Sequence, residues 1–149
     1  MSLVDELYKE VILDHYRHPR NRGTLADATL VVQGSNPLCG DEIELGLRLA
    51  GDRIEAVAFT GRGCSISQAS ASMMTEVIKG RTLAEAAAIL ETFKGVMLRN
   101  EPAERLEDLG DLEALQGVKR FPVRIKCAIL AWNTLQEALT LVRERLDQG

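Results

Sequence analysis

Apolar positions change period repeatedly along the chain, and each change marks a new element. Leu3, Leu7 and Val11 recur at helical spacing, with Val4, Tyr8 and Ile12 widening the stripe, which predicts an amphipathic helix from Leu3 to about Tyr16. His18-Pro19 ends it, because the residue before a proline is pushed out of helical geometry. Ala28 to Val32 is a short β-branched run and reads as a strand. From Asp41 to Leu49 the period is two: Ile43, Leu45, Leu47 and Leu49 share one face, and Glu42, Glu44 and Arg48 the other. Gly51-Asp52 supplies a turn, and Arg53 to Thr60 returns as a third strand.

From Ser65 the helical period resumes through Ile66, Ala69, Met73 and Val77, and Lys79-Gly80 closes the segment. Thr82-Leu83-Ala84-Glu85 has the capping-box pattern, in which hydroxyl and carboxylate satisfy amides at a helix start. The helix behind it carries Leu83, Ala87, Leu90 and Lys94 in line, with Phe93 and Met97 nearby. Arg99 to Lys119 is acidic, with Leu106, Leu109, Leu112 and Leu115 at three-residue steps, and reads as one or two short surface helices held less firmly than the rest. Phe121-Pro122 breaks the chain, and a long helical pattern runs from Val123 to Leu146. Helix, three strands, then helices is an α+β plan: a small three-stranded antiparallel sheet with helices packed on one face. The 149 residues suit one domain, 1–149, with the acidic helical segment near 99–119 inside it.

Composition narrows the function classes. A net charge of −4 argues against a general grip on phosphate backbones, so no nucleic-acid partner is expected. No apolar run is long enough to span a bilayer, and the start, Met1 to Glu6, is acidic where a secretory signal is basic and then apolar. The expected location is the cytoplasm, with no membrane partner. Three cysteines cannot all pair within the chain, and a reducing compartment keeps them as thiols. Around the first helix exit, His15, Arg17, His18, Arg20 and Arg22 read as a solvated cationic helix end, or alternatively as a docking patch.

The thiols carry the chemistry. Cys39 lies on the loop Gly34-Ser35-Asn36-Pro37-Leu38-Cys39-Gly40-Asp41, and Cys64 follows the turn Gly61-Arg62-Gly63 at a helix start. Cys127 falls in the first turns of the last helix. A helix start favours a thiolate, because free amides and the helix dipole stabilise negative charge there. If the strands flanking Gly51-Asp52 form a hairpin, their outer ends bring Cys39 and Cys64 to one rim of the sheet, which Cys127 can also reach. Asp41 adds an oxygen. Three thiolates and a carboxylate make a four-coordinate set suited to zinc, and thiolates also hold iron–sulfur clusters. The spacing alone leaves open whether these four share a site or are packing cysteines and a solvated aspartate. A cysteine–histidine pair is disfavoured, since His15 and His18 are remote in sequence from every thiol. Met73, Met74 and Trp132 read as core.

Four stretches together resemble the U-type iron–sulfur cluster assembly proteins, the family of IscU, SufU and the N-terminal domain of NifU. They are Leu13-Asp14-His15-Tyr16-Arg17-His18-Pro19-Arg20-Asn21, Asn36-Pro37-Leu38-Cys39-Gly40-Asp41, Gly61-Arg62-Gly63-Cys64-Ser65-Ile66-Ser67 and Lys126-Cys127-Ala128-Ile129-Leu130-Ala131-Trp132. The resemblance implies the SufE/IscU-like α+β fold and a metal site made by Cys39, Asp41, Cys64 and Cys127. Scaffold members usually carry a histidine before the third cysteine, where this chain has Lys126. They also tend to have a chaperone-read Leu-Pro-Pro-Val-Lys segment, where this chain has Arg120-Phe121-Pro122-Val123-Arg124. With the acidic segment resembling the SufU insertion, the likeness is nearer to SufU than to IscU.

It implies a zinc-dependent sulfur acceptor that takes persulfide sulfur from a SufS-like cysteine desulfurase and passes it to a SufBCD-like cluster scaffold. Cys39 is then the acceptor, Asp41, Cys64 and Cys127 hold zinc, and Arg124 or Lys126 steadies the added charge. Two alternatives stand beside it: a scaffold on which a [2Fe–2S] cluster is assembled, and a structural zinc module that only binds a partner.

Overall fold

The computed structural model describes residues 3–37 and 40–148, and from 3–5 and 146–148 the backbone alone. Its elements are α1 (Leu3–Arg17), β1 (Leu30–Asn36), β2 (Asp41–Ala50), β3 (Arg53–Arg62), α2 (Ser65–Ile78), α3 (Leu83–Leu98), two 3₁₀ segments (Ala103–Leu106 and Gly110–Arg120) and α4 (Pro122–Gln148). The strands form an antiparallel meander in the order β1-β2-β3. β1 extends further than the β-branched run suggested, because Gln33 to Asn36 continue the ladder opposite Glu44 to Asp41. The β2–β3 hairpin sets Leu45 against Phe59 and Glu42 against Arg62, with a register shift at Arg48/Leu49.

Ile43, Leu45, Leu47, Val57 and Phe59 point into a core closed by α2 and α4. Trp132 of α4 lies at its centre, stacked on Phe93 of α3 with ring centroids 4.5 Å apart, and its indole N–H donates to Ser70 Oγ at 3.1 Å. Met73 and Met74 are buried, as core-filling residues should be. The α3 capping box forms as written in the sequence: Glu85 N–H donates to Thr82 Oγ1 at 3.1 Å, and Thr82 N–H to Glu85 Oε1 at 2.9 Å.

Three expectations are corrected. Leu7 is exposed, so among the described side chains the inward face of α1 is Tyr8, Val11, Ile12 and His15. Leu3 and Val4, the other members of that stripe, have side chains outside the described set. The region from Arg99 to Lys119 is not a loosely held surface piece: Leu106, Leu112, Ala114, Leu115 and Val118 are all buried. Its three-residue leucine step is the 3₁₀ period itself, in which side chains three apart eclipse and line one face. Finally, His15 is not a solvated helix-end cation. It is fully buried, while His18 is exposed.

Candidate metal centre

Asp41 is the first residue of β2, and Cys64 follows the end of β3. The hairpin register that pairs Glu42 with Arg62 therefore forces these two into proximity. Cys64 is the N-cap of α2: Ser67 N–H donates to its Sγ at 3.4 Å, so the free amides of the helix start point at the sulfur. Asp41 Oδ1 accepts from Cys64 N–H at 2.9 Å, and its Oδ2 lies 3.8 Å from Cys64 Sγ. Gly63 makes this approach feasible. Its φ of +145° is unfavourable for a side chain, and a Cβ there would collide with Asp41 Oδ1.

Cys127 comes from α4, one turn beyond Val123, whose carbonyl is 3.9 Å from its Sγ. It is deeper in its helix than a capping position, so unfilled amides do not reach it. Burial pushes its thiol strongly up, and the neighbouring Cys64 and Asp41 add to the rise. Asp41 and Cys127 are buried, and Cys64 is partly exposed. One ligand atom from each lies within 4.8 Å of the others.

Cys39 lies outside the described residues. The loop that carries it in sequence is closed at its ends, where Gly40 N–H donates to Asn36 O at 2.9 Å. Arg124 and Lys126 are exposed on the early turns of α4. Lys126 lies with Ser35, Asn36 and Asn133 at a cavity of about 230 Å³.

The donor set fits a cation. A fully buried carboxylate is stable when paired or metal-bound, and among the described residues Asp41 has no cationic partner. Two sulfurs and a carboxylate oxygen are ligands that zinc accepts in tetrahedral sites, with room for a fourth. The reading of Asp41 as a solvated turn residue is overturned by its burial.

Fold and cluster together define a class: a three-stranded α+β protein with a thiol–carboxylate centre at one end of its sheet. The chain belongs to the family described as the NifU-like N terminal domain, whose model matches residues 7–146. Among curated relatives it is 50% identical over 136 residues to the zinc-dependent sulfurtransferase SufU of Bacillus subtilis (strain 168), covering 91% of each chain. It is 44% identical over 140 residues to the iron–sulfur cluster assembly scaffold protein IscU of Streptococcus pyogenes serotype M1, covering 93% of this chain and 86% of the relative. Among solved structures, the scaffold candidate for the SUF system of Fervidobacterium islandicum AW-1 superposes with a TM-score of 0.80 at 37% identity, covering 90% of this chain and 97% of that one.

Sequence reasoning missed two features. One is the role of Gly63 as the space into which Asp41 fits; its signal was a glycine immediately before the cysteine. The other is a second cluster, His15 with Glu76 and Asp111, whose members are far apart in sequence and announced by no motif. Among the described residues, no helix is long and apolar enough to cross a membrane.

Proposed function

We propose that this chain is a zinc-dependent sulfur acceptor in iron–sulfur cluster assembly, working in the cytoplasm between a SufS-like cysteine desulfurase and a SufBCD-like scaffold. The observation that carries the reading is the convergence of Asp41, Cys64 and Cys127 at the sheet end where the Cys39 loop begins and ends. The 50% identity to a relative described as a zinc-dependent sulfurtransferase favours the same reading.

Asp41, Cys64 and Cys127 hold zinc with Cys39 as the fourth ligand, and the bound cation supplies the charge that keeps buried sulfurs deprotonated. As a thiolate, Cys39 attacks the terminal sulfur of the desulfurase persulfide. A new S–S bond forms at Cys39 while the bond to the desulfurase cysteine breaks, and that cysteine leaves as a thiolate. The Cys39 persulfide undergoes the same exchange with a thiol of the next acceptor. Arg124 and Lys126, both solvent-facing, steady the extra negative charge.

The test is desulfurase turnover with and without the zinc-loaded protein, using Cys39→Ser as the control. A rise that requires both zinc and Cys39 is expected, and Cys39→Ser should fold yet return turnover to the level without added protein. No rise with the wild-type protein would overturn the reading. The second reading, a [2Fe–2S] scaffold, is favoured by the 44% identity to a relative described as IscU. It would stand in its place if that result came with iron–sulfur absorption after anaerobic reconstitution.

A further inference from the structure

His15 is fully buried, yet its ring joins three elements. Nδ1 is 2.8 Å from Ser72 Oγ on α2, and Nε2 is 2.7 Å from Asp111 Oδ2 on the second 3₁₀ segment. Nε2 also lies 3.6 Å from Glu76 Oε1, one turn beyond Ser72. Ser72 cannot serve as a nucleophile here, because it is fully buried and its Oγ accepts from Arg20 N–H at 2.8 Å. The ring itself has no exposed surface, but the side chains of Asp111 and Glu76 are 48% and 45% exposed, so solvent reaches the two carboxylates beside it.

We infer that His15 Nε2, Glu76 Oε1 and Asp111 Oδ2 form a second divalent-cation site, separate from the thiol centre and suited to a metal that prefers nitrogen and oxygen, such as Mn²⁺ or Fe²⁺. The three ligand atoms lie within 4.8 Å of one another. Two ligands about 2.1 Å from one ion and at right angles to each other are about 3.0 Å apart, and tetrahedral neighbours about 3.4 Å apart. The separations of 2.7 and 3.6 Å from Nε2 bracket those values, and the two carboxylate oxygens lie within 4.8 Å of each other, so side-chain adjustment seats the ion.

The surroundings supply what such a site needs. Ser72 fixes the ring orientation from behind, the role that outer hydrogen bonds play for metal-bound imidazoles. Coordination at Nε2 leaves the ring proton on Nδ1, where Ser72 Oγ, 2.8 Å away, can accept a hydrogen bond from it. Three carboxylates, Asp14, Glu76 and Asp111, gather around one guanidinium, and Arg20 is committed mainly to Asp14 at 2.6 Å while standing 3.9 Å from Glu76. One imidazole and two carboxylates leave coordination positions for water, an arrangement that hard and borderline cations accept. Glu76 is twelve residues beyond Cys64, roughly 18 Å along the α2 axis, so the two sites do not share ligands.

The probe is Mn²⁺, which competes poorly for thiolates, added to the zinc-loaded protein and followed by loss of the free-ion EPR signal. Saturable uptake of one Mn²⁺ per chain with zinc content unchanged is expected. Glu76→Gln and Asp111→Asn should each weaken it about tenfold or more, in line with losing an anionic ligand. Both positions are half exposed, and unchanged circular dichroism will verify that each variant is folded. Absence of saturable uptake, one-for-one displacement of zinc, or uptake indifferent to both substitutions would overturn the inference and leave His15 as a hydrogen-bonded strut.

Discussion

At the residue scale the centre depends on positions that carry no ligand. Gly63 admits the Asp41 carboxylate to the N-cap of α2, and both its φ and the collision of a Cβ with Asp41 Oδ1 demand glycine. Gly40, at φ +71°, has open space around its missing side chain. The pair separates strain from steric exclusion. Gly40→Ala should cost about 1 kcal/mol, the penalty of a left-handed backbone alone. Gly63→Ala adds displacement of Asp41 and should cost about 1–3 kcal/mol. It should also weaken zinc binding, whereas Gly40→Ala should retain it. Urea unfolding of the metal-free proteins and a competitive zinc titration measure the two quantities.

At the element scale the 3₁₀ segment Gly110–Arg120 is core that follows an unusual period. Leu112 and Leu115 have no exposed surface. Tyr8 of α1 ties the segment from outside, accepting from Gln116 Nε2 at 2.5 Å and donating to Glu113 Oε1 at 3.3 Å. Leu112→Ala or Leu115→Ala should each cost about 2–5 kcal/mol by denaturant unfolding, and a loss under about 0.5 kcal/mol would restore the surface-helix reading. The α3 cap offers a pH-dependent counterpart. Hydrogen bonds from Thr82 hold the Glu85 carboxyl below its usual range. A depressed carboxylate contributes stability that is full above its unfolded value and lost as pH falls through its folded value. Glu85→Gln keeps a cap that does not titrate, so its melting temperature should fall less steeply than wild type on acidification below the carboxylate range.

At the scale of the whole molecule, the proposed centre links the start of β2, the N-cap of α2 and the second turn of α4. A metal there closes the sheet end onto two helices that are also held by hydrophobic contacts and by hydrogen bonds such as Ser70 Oγ–H to Ala128 O. Those contacts include fully buried Phe59, Phe93 and Trp132, which touch no proposed ligand role. Chelation should therefore lower the melting temperature while leaving far-ultraviolet circular dichroism largely intact. A metal present at a thousandfold excess over its dissociation constant stabilises the native state by about 4 kcal/mol. Collapse of secondary structure on chelation would show instead that metal binding is folding itself.

The amino-acid sequence by itself determined the element order, the antiparallel meander and the capped start of α3. These rest on local physics: period, turn chemistry and helix capping act between residues near one another in the chain. Tertiary structure decided what local physics cannot reach. Burial of Asp41 follows from the hairpin register and from the space left at Gly63. Burial of His15 follows from α1 packing against α2 and the second 3₁₀ segment, which converts a basic-looking helix exit into a hydrogen-bonded cluster. The acidic stretch misled because its many charges suggested solvent, whereas its leucines, spaced three apart, needed a 3₁₀ geometry and the opposing surface of α1 and α4 to become an inward face. Polarity summed along a sequence does not reveal which side of an element a neighbour will cover; that requires the neighbour to be in place.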